Sequence, residues 1–138
     1  MIQPANVQEA LVHIMVAVSA SDSNMTDREL AKMGTVVRTM PVFIDFEPES
    51  LLDVARKSQQ VLQQDETLND IVASIVEVIP GRLRDTAYSV AVEIAAADRR
   101  VRPEELRILQ ILRGHLGIDT LTAAAIERAA VIRHRTLV

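Results

Sequence analysis

Four carboxylates are the side chains of this sequence best placed to do chemistry. Asp22 and Glu29 lie in residues 19–30, SASDSNMTDREL, and Asp98 and Glu105 lie in residues 95–106, AAADRRVRPEEL. The second pair follows the first by 76 residues, and apolar positions around them match at the same offset: Val16 with Val92, Val18 with Ile94, Met33 with Leu109. Carboxylate oxygens, backbone carbonyls and water suit a hard divalent cation such as Ca²⁺, Mg²⁺ or Mn²⁺, and not a soft metal. If a pseudo-twofold brings the two turns side by side, their pooled charge calls for a cation or basic side chains to neutralise it. Arg99, Arg100 and Arg102 already stand in the second turn, which argues against a metal in that copy. Two other uses compete. The acids can form a charged docking surface for a protein partner, or they can serve only as helix caps. As caps, Glu29 and Glu105 would contribute about 0.5–2 kcal/mol at most, placed at the positive end of a helix dipole.

Such carboxylates need helices to position them, and the hydrophobic spacing supplies those. From Val7 the apolar residues fall at Leu11, Ile14, Met15 and Val18, the pattern of an amphipathic helix running to about Ser21. Thr26-Asp27-Arg28-Glu29 reads as a capping box opening a second helix, which carries Met33, Val36 and Val37 and stops before Pro41. Residues 42–47 make a linker. Pro48 suits the first turn of a third helix, and Asp65 or Thr67 starts a fourth that ends at Pro80-Gly81. The plan then repeats. A helix spans about Arg82 to Ala97, Pro103 opens another that ends at Gly117, and Asp119 or Thr120 caps the last. No segment shows the alternation of a strand. The expected fold is all-α: one compact domain over residues 1–138 with seven helices in two pseudo-symmetric repeats, about 7–64 and about 82–135.

Composition narrows the function classes. The chain is 49 % hydrophobic, yet Phe43, Phe46 and Tyr88 are its only aromatics, which argues against stacking platforms for single-stranded nucleic acid. A net charge of −4 gives no general attraction to phosphate backbones, so no nucleic-acid partner is expected. The charge is uneven: residues 1–69 hold five Lys/Arg against ten Asp/Glu, and residues 70–138 hold ten Arg against nine Asp/Glu. The absence of Cys excludes disulfides and thiolate metal sites. There is no secretory signal pattern and no transmembrane segment, since the longest apolar stretch, residues 10–20, is too short and contains His13. A soluble, cytoplasmic protein is the expectation.

Enzyme signatures are missing as well. No H-E-x-x-H, Gly-rich phosphate loop or G-x-S-x-G elbow occurs. The calcium-loop pattern beginning at Asp22 lacks its central Gly and has Met33 where the bidentate Glu should stand. His13, His115 and His134 are scattered, and His13 reads as a packed core histidine. The cations Arg128, Arg133, His134 and Arg135 fit the end of a helix better than a lipid anchor.

The paired helix–acidic turn–helix units resemble the tellurite-resistance TerB family over about residues 7–135. Residues 96–106, AADRRVRPEEL, carry the closer match, and residues 19–30 follow the same skeleton. The family's glycine after each Asp is replaced here by Ser23 and Arg99. The resemblance implies an all-helical, non-enzymatic, cytoplasmic stress-response domain with a protein partner, often in membrane-associated complexes. It also implies a divalent cation held through Asp22, Glu29, Asp98 and Glu105. The alternative is a structural interaction module, or a homodimer through an exposed aliphatic face, with the acids acting only as caps.

Overall fold

A computed structural model describes residues 6–19, 25–63, 66–97 and 103–138. Among them are seven α-helices and no strand: α1 (Val7–Ser19), α2 (Asp27–Thr39), α3 (Leu51–Leu62), α4 (Leu68–Glu77), α5 (Arg84–Ala96), α6 (Pro103–Leu116) and α7 (Thr120–Arg133). The all-α fold is the one the periodicity predicts. None of these helices is long and apolar enough to cross a membrane.

Helix α1 is buried at every position from Ala10 to Ser19. A helix apolar on all sides has to be enclosed on all sides, and α1 packs against α3 and α5, with α2, α4 and α6 closing around it. Helix α5 is the second central element. Its buried residues are mostly small or β-branched, including Ala87, Val90, Ala91 and Ile94, and it packs on α1, α7, α6 and α2.

Local chemistry sets the helix ends. Thr26 caps α2, Thr67 caps α4 and Asp119 caps α7, each side chain accepting a backbone N–H from the first turn. Gly117, at φ 67, ends α6 in the left-handed conformation that glycine adopts without strain. Two helices start later than their sequence suggests. Pro48–Ser50 and Gly81–Leu83 form 3₁₀ turns, and the α-helices begin at Leu51 and Arg84; tight turns of this kind are common where a helix is entered. Within the expected linker, Pro41–Phe43 is a third 3₁₀ turn, and Phe43 is buried edge-on against Phe46 at 5.7 Å. The Gln8 side-chain amide donates to the Ile44 carbonyl at 2.7 Å and ties this segment back to α1.

Polar ties join each central helix to a neighbour. Between α1 and α3, His13 meets the Ser58 hydroxyl, and Lys57 pairs with Glu9 at 2.7 Å. Between α5 and α7, the Tyr88 hydroxyl donates to Glu127 at 2.8 Å, while Glu93 pairs with Arg133 and His134.

Candidate functional site

Glu29 and Glu105 each stand at the third position of their helix. Glu29 forms the predicted capping box. The Thr26 hydroxyl oxygen accepts the Glu29 N–H at 3.2 Å, and Glu29 Oε1 accepts from the Thr26 hydroxyl at 3.0 Å and from its N–H at 3.4 Å. The other oxygen, Oε2, is shielded from solvent and has no hydrogen-bond partner among the described residues. That orphaned acceptor fits either a hard cation or a basic side chain.

Glu105 differs. Its exposure is 0 %, and with Ile108, Leu112 and Leu116 it completes the buried stripe of α6. Its neighbour Leu106 is 51 % exposed. A carboxylate thus takes a core position while a leucine faces outward, and a buried charge of this kind has to be compensated electrostatically. The residue before α6 is Arg102, whose side chain has no acceptor to offer the Glu105 N–H. The Thr26–Glu29 box therefore has no counterpart in the second copy. The i, i+3, i+7 spacing with Ile108 and Leu112 puts Glu105 on the apolar stripe of α6, and the packing of the neighbouring helices decides that this part of the stripe is covered.

Asp22 and Asp98, with Arg99, Arg100 and Arg102, lie outside the described residues. Among the described residues no group of three or more His, Asp or Glu is arranged to hold a metal ion. The helices that enter and leave the two turns do pack crosswise, α1 on α5 and α6, and α2 on α5.

Two further polar clusters were not singled out as sites by the sequence. The first surrounds His13, which is 1 % exposed. Its Nδ1 meets Ser58, whose hydroxyl also donates to the Val54 carbonyl at 2.9 Å, and Nε2 lies 3.9 Å from Glu9. Burial pushes the imidazole from its ordinary 6.5 down to about 4, against the Glu9 charge and aided by Lys57. His13 is therefore a neutral, packed histidine at pH 7, as its position on an apolar face predicts. Ser58, at 0 % exposure, does not reach solvent.

The second is a groove of about 350 Å³ between α5, α6 and α7. Val92, Ala95, Ala96, Leu106, Leu109 and Val131 form its apolar walls, and Tyr88, Gln110, Arg113 and Glu127 supply polar groups. Burial first, then the hydrogen bond and charge of Glu127, push the Tyr88 phenol well above its ordinary value, with Arg113 opposing. The groove was not foreseeable from periodicity, because its walls come from three helices.

Comparison with curated proteins and with solved structures gave no match. Comparison with family models gave one, described as tellurite resistance protein TerB, over residues 7–130. The match begins at the first residue of α1, takes in both acidic turns and ends inside α7, so the chain belongs to the TerB family.

Proposed function

We propose that this tellurite-resistance-type helical domain is a non-catalytic binding module whose acidic turns hold a divalent cation, with Asp22, Glu29, Asp98 and Glu105 supplying oxygens. The observation that carries the reading is that each glutamate, at the third position of its helix, holds a carboxylate oxygen shielded from solvent. Among the described residues Glu29 Oε2 is shielded and has no hydrogen-bond partner, and Glu105 occupies a core position that helix capping alone does not require. The crosswise packing of α1, α2, α5 and α6 supports an arrangement in which the turns share one site. A hard cation would offset the repulsion of the pooled acids, and Ca²⁺, Mg²⁺ and Mn²⁺ are the species this donor set suits.

The three arginines of the second turn support a second reading, in which the turns dock a protein partner and the cation is dispensable. Thermal unfolding with and without each cation separates the two. A cation bound only to the folded state stabilises by about 2.7 kcal/mol at a concentration 100 times its dissociation constant. The wild type should gain stability with rising cation, and the Asp22→Asn/Asp98→Asn double variant should not. No cation-specific shift at millimolar levels would discard the metal site and leave protein docking.

A further inference from the structure

The groove between α5, α6 and α7 holds an unusual pair of charges. Arg113 Nη2 donates to the Thr120 hydroxyl at 3.2 Å, and Glu127 Oε2 accepts from Tyr88 at 2.8 Å. Both side chains line the same cavity. Among the described residues neither has an opposite charge within ion-pair distance. Opposite charges sharing a partly desolvated site attract strongly, and here each is held by a neutral partner instead. That leaves one carboxylate oxygen and most of a guanidinium fork available in the lining of the groove. Apart from Gln110 the rest of the lining is aliphatic, and two of its residues, Leu106 and Val131, are each 51 % exposed. A cavity of this volume lies at the small-molecule end of the range for ligand sites, which are typically apolar with a few convergent polar groups.

We propose that this groove binds an apolar α-amino acid as its zwitterion, with the ammonium on Glu127, the carboxylate on Arg113, and the aliphatic side chain among Val92, Leu106, Leu109 and Val131. The ammonium has three donors, which match the spare Glu127 oxygen and the lone pairs of the Tyr88 oxygen. The carboxylate matches the planar donor fork of Arg113. The side chain covers the exposed leucine and valine at the mouth. Tyr88 acts as a positioning residue, since its hydrogen bond fixes the orientation of the Glu127 carboxylate. The site uses none of the four acidic-turn carboxylates, so it stands or falls independently of a metal.

Three compounds of one carbon skeleton test this on the full chain: L-leucine, 3-methylbutylamine, which lacks the carboxylate, and 4-methylpentanoate, which lacks the amine. Titration calorimetry, with methyl NMR to locate the perturbed residues, should show leucine binding one to one at the groove. Loss of one charge-assisted contact should weaken each analogue by about tenfold or more. Glu127→Gln should weaken leucine and leave 4-methylpentanoate unaffected, and Arg113→Gln should weaken leucine and leave 3-methylbutylamine unaffected. The proposal is overturned if leucine fails to bind up to about 20 mM, or if either analogue binds as tightly as leucine. The comparison of the three compounds uses only the wild-type chain, so it holds even if a variant fails to fold.

Discussion

The helix pairs α1–α3 and α5–α7 close differently, although their first members, α1 and α5, can be set against each other at the 76-residue offset of the acidic turns. Offset by 76 residues, Leu11 of α1 corresponds to Ala87 of α5, Met15 to Ala91 and Ser19 to Ala95. In the first pair the larger side chains fill the interface, and the polar tie between His13 and Ser58 is sealed inside it. In the second pair both helices are alanine-rich, and short side chains such as Ala95 and Ala96 leave a groove of about 350 Å³ with the Tyr88–Glu127 tie on its wall. The acidic turns diverge in the same way. Thr26 gives Glu29 a local partner at the helix end, whereas Glu105 has Pro103 and Arg102 before it and is drawn into the core. Repetition of a motif therefore does not repeat its environment: the first unit is tuned for closure, and the second keeps space.

That contrast can be broken most directly by truncation. Met15→Ala should cost about 2–5 kcal/mol, because a sealed interface cannot collapse onto the missing atoms. Leu109→Ala, beside space that already exists, should cost clearly less. Denaturant unfolding of both variants checks this, and equal losses would mean that the groove is packed as tightly as the α1–α3 interface.

The next largest effect is a pH dependence confined to the first pair. His13 titrates near 6.5 when unfolded and at about 4 when folded, so the unfolded chain binds the extra proton between those values. Its contribution is fully present above pH 6.5 and is lost as the pH falls toward 4. The linkage amounts to about 2–3 kcal/mol. Stability measured from pH 7 to 4 should fall more steeply for the wild type than for His13→Leu. Parallel curves would show that the imidazole is not shielded as its 1 % exposure implies.

The smallest effect sharpens the difference between the turns. Thr26→Ala removes the hydroxyl that accepts the Glu29 N–H and should cost about 1 kcal/mol. Glu105→Ala acts on a residue whose placement depends on tertiary packing, and should cost more than Thr26→Ala in the same assay. The opposite order would return Glu105 to the role of a simple cap.

Much of this architecture is legible from local chemistry. The periodicity of Leu11, Ile14, Met15 and Val18, the Thr26–Glu29 box, the prolines and Gly117 specify helices and their ends, because each depends on residues within a turn or two. The small shifts at Pro48 and Arg82, where 3₁₀ turns precede the α-helices, belong to the same local scale. His13 reads correctly as a core residue for that reason. Glu105 was harder, since a carboxylate on an apolar stripe is only recognisable as buried once the helices that cover it are in place.

By itself, the sequence determined the all-α class, the order and capping of the helices, the paired acidic turns and the likeness that the family match bears out. These follow from spacing and residue type, which act over short distances along the chain. Only the tertiary structure decided that Glu105 lies inside while Leu106 faces out, that His13 finds Ser58 45 residues away, and that Tyr88, Arg113 and Glu127 converge on one groove. The physical reason is that burial and pairing depend on which helices meet. That is set by the summed packing of α1 and α5 with their neighbours, and no single segment encodes it.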